Sequence, residues 1–361
     1  MTDAEGAAMV GVLDDLGAAV EDLVRTGLTT ASKATLDRLE VSFREASRLK
    51  LGRLAASLRF VNEEIGRHLH QSPEFSAARL SLFLDRSWVL ARGLAHAIRQ
   101  RDTASIDRLT WSSAPTPVAE LVTVTLGVRK RVTQTTGSFD FYLRSVADGA
   151  PYVWSFVYPR KDLTVPAEAW FHLPQKPTGM YPKLLAEPGT VVFRDLAVAG
   201  DRIVLGPPSK VEKGPPFTDW ARFGRWDVRA TARRLRDHRP GPLDLEIELD
   251  DEIVLADWTL GTPVDRGRPG TLSLPLTAVT PGGAIELDAI ASTNEGGKEL
   301  RSALDALRSA PSRPPLFGVV HVDLCRLVFQ PLSALEPRGP RHLMLSTEKI
   351  DTKQLLKTMT F

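Results

Sequence analysis

The hydrophobic repeat of this chain changes once, from a helical step to a strand step, at Ser113–Pro117. Before that point Met9, Leu13, Leu16, Val20 and Leu23 recur every three or four residues, which is one face of an amphipathic helix. Thr26-Gly27 stops it. A second stripe runs through Leu36, Leu39, Phe43 and Ala46, shifts near Gly52, and continues through Leu54, Leu58, Val61 and Ile65. That pattern predicts one long helix that bends. Ser72-Pro73 interrupts it, and a third helix carries Leu80, Phe83, Leu84, Trp88, Ala91, Leu94, Ala95 and Ile98. Short connections between such helices favour an antiparallel bundle.

After Pro117 the period becomes two. Val122, Val124, Leu126 and Val128 alternate with more polar neighbours, and Phe139, Phe141 and Leu143 do the same. Asp148-Gly149 is a hairpin turn signal, and the returning strand has one aromatic face: Tyr152, Trp154, Phe156 and Tyr158. Further strands are expected at 191–198, 202–205, 243–249, 253–258, 271–276 and 285–290. A helix capped by Ser292-Thr293-Asn294 carries Leu300, Leu304 and Leu307, and a hairpin follows near 316–330. The fold class is therefore α+β. An N-terminal antiparallel helical bundle (1–113) precedes a mainly antiparallel β-barrel or sandwich region (118–345), with two small tandem β units as the alternative, divided near 206–218. Residues 346–361 form a C-terminal helix or tail, with the helix around Lys349–Thr358.

Composition narrows the function. The 361 residues carry a net charge of +2, so no global field points to nucleic acid or membrane. Cys325 stands alone, which rules out an intrachain disulfide and fits a reducing cytoplasm, here of a bacterium-like cell. No apolar run nears the roughly 20 residues that span a bilayer, and the acidic start Met1-Thr2-Asp3-Ala4-Glu5 lacks a signal-peptide layout.

Four constellations could carry chemistry. The aromatic face Tyr152–Tyr158 lies near Arg129, Lys130, Arg131, Arg144, Arg160 and Lys161. Bases stack on exposed aromatics while basic side chains hold phosphates, so Tyr152, Trp154 and these six cations form the candidate single-stranded nucleic-acid site. The competing reading fills a barrel core with the same aromatics. Arg222, Arg225, Arg229, Arg233 and Arg236 fall within an arc of about 80° on a helix. The preferred reading is instead a hairpin, with Trp226, Val228, Ala230 and Ala232 on one strand, Pro240-Gly241 at the turn, and the acidic strand Leu243–Asp250 returning. His321, Asp323 and Cys325 alternate, but Asp323–Arg326 reads as a turn rather than a nucleophile site. His68 and His70, at i and i+2, point to different helix sides and make a poor metal pair. Neither a phosphate loop nor a dinucleotide fingerprint is present, so no catalytic, cofactor or metal residue is assigned.

Pro315–Ser333, with its Phe317-Gly318, Leu327 and Pro331-Leu332-Ser333, resembles a hairpin of uncharacterised bacterial proteins associated with the SWIM zinc-finger family. Asp85–Leu94 is similar to a helix in the same group. That finger needs Cys-x-Cys and Cys-x-His, and one cysteine excludes it, so no zinc ligand carries over. The resemblance implies an accessory or scaffold partner. The leading expectation is a non-enzymatic interaction protein whose helical domain docks a protein partner. The alternatives are a single-stranded nucleic-acid binder using the barrel and an enzyme with a dispersed site.

Overall fold

The computed structural model describes residues 3–110, 115–132, 136–159, 166–239, 243, 249–266, 270–292, 296–323 and 326–346. The chain divides into two compact units, Met1–Ser113 with Arg239–Ile247, and Ala114–His238 with Glu248–Phe361.

The first unit is helical: α1 (Asp3–Thr26), α2 (Lys33–Arg48), α3 (Gly52–Leu69), α4 (Ala77–Gln100) and α5 (Thr103–Thr110). The long second helix expected from the sequence is two, because Lys50 turns the chain at φ 59 between α2 and α3. The predicted stripes form the core, with Leu13, Leu58, Val61, Ile65, Leu90 and Leu94 fully buried. Charge fastens α1 to α4: Arg92 and the Trp88 Nε1–H both donate to Glu21, at 2.6 and 2.7 Å. No helix among the described residues is long and apolar enough to cross a membrane.

The second unit holds two closed barrels. In the first, β1 (Thr116–Val132) is long enough to pair twice. Its front half runs antiparallel to β4 (Thr190–Ala199), and its back half runs antiparallel to β2 (Thr136–Ser145). A bulge between Thr125 and Gly127 separates the two registers and bends the strand. β2 pairs with β3 (Pro151–Pro159), β3 meets β5 (Arg202–Val204) in parallel at Val153↔Arg202, and β5 returns to β4. The ring closes in the order β1-β2-β3-β5-β4-β1, with β6 (Lys210–Lys213) added outside β4. A 3-10 turn at Ala167–His172 and the short α6 (Lys183–Ala186) link β3 to β4.

The second barrel repeats this plan. Its first strand is interrupted at Ala256 into β7 (Asp251–Leu255) and β8 (Asp257–Leu260). β7 pairs with β11 (Leu316–Asp323), and β8 pairs with β9 (Thr271–Thr280). β9 pairs with β10 (Gly283–Ser292), and β10 lies parallel to β12 (Arg326–Glu336) at Asp288↔Val328. β12 returns to β11, and β13 (Gly339–His342) adds to β12. The helix α8 (Gly297–Ser309) stands between the third and fourth strands of the ring, capped at Gly296, whose N–H donates to Glu299 at 3.0 Å. A bent first strand shared by the second and fourth, and a parallel third–fifth pair, define the five-stranded Greek-key arrangement of the OB type. The β region is thus two OB-type barrels in tandem.

The barrels are joined by apolar packing and by buried ion pairs. Leu126 and Tyr142 of the first barrel belong to the same buried cluster as Phe317 and Leu332 of the second. A Cβ at Gly127 would lie 2.7 Å from the Phe317 ring, so the bulge needs glycine for this close approach.

Candidate functional site

OB-type barrels use the outer face of their second and third strands, flanked by the loops that join strands one to two and four to five. On the second barrel this face is open. Alternation along β9, β10 and β12 turns Leu274, Leu287, Ala289 and Phe329 inward. Thr271, Ser273, Asp288, Ile290 and Val328 then line an outer groove of about 210 Å³, closed at its ends by Arg266, Asp323 and Arg326. Arg266 comes from the loop after β8, and Arg326 from the β11–β12 turn. Asp288, from the middle of the groove, holds both: Arg266 Nη2 is 3.1 Å from Oδ1 and Arg326 Nη1 is 3.3 Å from Oδ2. Burial works to raise the Asp288 pKa. Hydrogen bonds from Ser273, Arg326 and Arg266 outweigh it and keep the carboxyl below the ordinary range. The carboxylate therefore stays ionised, and the two guanidiniums are held in place with N–H groups still turned outward. Their side chains are 37% and 55% exposed. Asp288 and Asp323 balance the two arginines in formal charge, so the groove offers guanidinium N–H groups rather than a net positive field.

The equivalent face of the first barrel, the outer side of β2 and β3, is covered at Tyr142 and Val153 and exposed at Ser155 and Val157. The aromatics of β3 point inside: Trp154, Phe156 and Tyr158 are buried, and Trp154 lies 5.4 Å from Phe141 and 6.1 Å from Phe156. Tyr152 is half-buried against the same core. These rings fill the barrel and offer no platform for bases. Lys130 is also buried, with Nζ 2.8 Å from Glu168 Oε1 and 3.8 Å from Glu299 Oε1. Arg129 pairs with Asp250 at 2.7 Å, and Arg144 with Glu252 at 2.5 Å. Burial raises the Glu252 pKa, against the pull of Arg144. Arg131 reaches solvent, paired with Asp140 at 2.8 Å. Arg160 and Lys161 lie outside the described residues, as do Cys325 and all of the expected 243–249 strand except Leu243 and Leu249.

The hairpin expected over Trp226–Asp250 is corrected on its first limb, where α7 (Val228–Asp237) forms. Asp227 caps it by accepting the Ala230 N–H at 3.0 Å. Its inward side chains are Val228, Thr231 and Leu235, so an apolar side does exist; Thr231 is the residue it buries fully. His68 lies against the Phe75 ring at 5.1 Å, and His70 Nδ1 is 2.7 Å from Gly66 O, so both histidines have local roles. The helical unit carries one shallow groove between α1 and α2, lined by residues that include Leu23, Thr26, Thr35 and Leu39.

Sequence reasoning missed Arg266, Asp288 and Arg326. The available signal was the segment Arg266-Gly267-Arg268-Pro269-Gly270, basic and turn-forming between two strands, together with Arg326 at a hairpin turn.

No protein-family model matches the chain, and no curated protein matches it. Several solved structures are similar to it. A Replication Protein A heterotrimer bound to single-stranded DNA is 10% identical, with 61% of this chain and 50% of that chain covered, at a TM-score of 0.29. The Ifi202 HINa domain in complex with 20-bp double-stranded DNA is 6% identical, covering 59% and 93%, at 0.28. A murine DNA binding protein bound with double-stranded DNA is 9% identical, covering 62% and 96%, at 0.25.

Proposed function

We propose that this chain binds single-stranded nucleic acid through the outer groove of its second barrel. The carrying observation is the pair Arg266 and Arg326, brought from the two flanking loops onto one ionised carboxylate, Asp288. Guanidinium forks held in advance lose little freedom when they take a phosphate oxygen. Between them Ile290 and Val328 give the floor an apolar strip on which a base or sugar can rest. A single strand can lay its bases on that strip, whereas a paired duplex keeps its base faces stacked away from it.

The test is fluorescence anisotropy with a labelled oligonucleotide at low salt. Binding is expected to weaken as salt rises, with a log–log slope of about −0.7 per phosphate engaged. Arg266→Ala with Arg326→Ala should weaken it about tenfold. Arg131→Ala, in the first barrel, should change it by less than about twofold, because Arg131 lies outside the groove of the second. Absence of binding at low salt, or full binding by the double variant, overturns the reading. A linear oligosaccharide that binds where the oligonucleotide does not would reassign the groove to sugars.

Docking of a protein partner by the helical unit is a separate proposal, supported by the groove between α1 and α2. It predicts that a partner co-purifying with the full chain is lost when residues 1–113 are deleted. Retention of every partner after that deletion removes it.

A further inference from the structure

The segment between the two barrels carries a second feature. It is α7, a helix of ten residues with an arginine side and a buried side. At about 100° per residue, Arg229, Arg233 and Arg236 fall within an arc of about 60°. Val228, Thr231 and Leu235 lie about 140° away. The buried side is anchored. Trp226 Nε1 donates to Thr231 Oγ1 at 2.9 Å, and Thr231 Oγ1 donates to Asp251 Oδ2 at 2.5 Å. Arg234 adds an ion pair to Asp251 Oδ1 at 3.0 Å. The helix therefore cannot roll to hide its arginines.

Arg225, Arg229 and Arg233 are all exposed, and none has an ion pair among the described residues. Arg229 and Arg233, one turn apart on the helix, repel each other only slightly. A rigid, unneutralised row of them is a surface shaped for a polyanion.

Its place in the fold says which polyanion. Asp251, to which α7 is fixed, opens β7 and stands opposite Val320 on β11. Three residues further along β11 is Asp323, paired with Arg326 at the tip of the turn that closes the groove. At about 3.3 Å per residue that tip is on the order of 10 Å beyond Val320. The arginine row and Arg326 thus sit at the same end of the second barrel. We infer that the Arg229–Arg233 face of α7, with Arg225 just before the helix, is a second phosphate-backbone contact, which takes up a nucleic-acid strand as it leaves the groove past Arg326. The inference rests on the groove reading and extends it from one barrel's site to a longer track.

The experiment uses the full chain and two labelled oligothymidylates. One has about 6 nucleotides, within the site size of a single OB-type barrel, and the other about 20. Arg229→Ala with Arg233→Ala should leave the short probe within about twofold and weaken the long probe about tenfold, with the salt slope for the long probe falling by about 1.4. Arg229→Lys with Arg233→Lys should restore most of the long-probe affinity, since a point charge still meets a phosphate. Both arginines are exposed, so unfolding midpoints should match the parent and certify the comparison. If the alanine pair leaves the long probe and its salt slope unchanged while Arg266→Ala with Arg326→Ala weakens both probes, α7 is not a contact and the groove reading stands alone. If the alanine pair weakens short and long probes equally, the extended-track geometry is wrong. If neither probe binds at low salt, the groove reading falls and takes this inference with it.

Discussion

The two barrels share one topology but bury their charged side chains to different depths. In the first, Tyr142 joins the cluster of the second barrel, and Arg129, Lys130 and Arg144 are each tied to a carboxylate. In the second, the outer side of β9 and β10 is open, and its two arginines share Asp288 while still reaching solvent. Ion pairs occur in both places, and burial decides what they mean. The Lys130–Glu168 pair, with side chains 1% and 6% exposed, is part of the joint. The Arg266–Asp288–Arg326 set is a half-wet device whose arginines can change partners. Fold alone therefore does not locate a site here, because the same topology carries dry ion pairs in one place and half-wet ones in another.

Lys130→Ala is the sharpest way to break this contrast. The change leaves Glu168 buried without its cation, and removing one member of a buried pair costs about 3–5 kcal/mol. Urea unfolding of the variant should show that loss, and Lys130→Met combined with Glu168→Leu should recover most of it. Arg266→Ala, at the open groove, should cost under about 1 kcal/mol. A loss of similar small size at Lys130 would mean that water or another cation reaches Glu168, and the joint would then be no drier than the groove.

The sequence carried the class of the fold because periodicity is set by which face is buried, and both units bury one face cleanly. The stripe through Leu54, Leu58, Val61 and Ile65 and the alternation of Phe139, Phe141 and Leu143 are visible for that reason. The Asp148-Gly149 turn was legible because Gly149 needs φ 76. The break at Lys50 was not, since a lysine seldom marks a left-handed residue. For Arg225–Arg236, strand alternation competed with helical spacing. Asp227 as cap and Thr231 as anchor decided for the helix, and Thr231 anchors it to the barrel through Asp251, twenty residues on. The candidate site was harder still. The cations near the β3 aromatics are close in sequence, yet Arg129, Lys130 and Arg144 are taken up in ion pairs, and Arg131, though exposed, pairs with Asp140. Arg266, Asp288 and Arg326 are scattered, and only the parallel pairing of β10 with β12 puts Asp288 beside the strand that Arg326 begins.

A smaller and differently signed effect probes the same joint by pH. His342, on β13 of the second barrel, is partly buried, with its Nδ1 enclosed, and faces the backbone at Ala186 of the first. Burial pushes its pKa down to about 4, against about 6.5 in an unfolded chain. The folded state therefore prefers the neutral ring. The stability this contributes is complete above pH 6.5 and is lost as pH falls from about 6.5 towards 4, where the unfolded chain takes up a proton that the folded one refuses. A difference of about 2.5 units corresponds to about 3 kcal/mol at most. Other groups titrate over the same range with mixed signs. Glu252, raised by burial, gains stability on acidification, whereas Asp288, held low by its arginines, loses it. The informative quantity is thus the difference between parent and His342→Leu, in which those groups cancel. Unfolding free energies measured from pH 7 to 4.5 should fall more steeply for the parent, by up to about one proton's slope, or about 1.4 kcal/mol per pH unit. Parallel curves would show that the ring is solvated, and that the two barrels meet through water at this point and not through a dry contact.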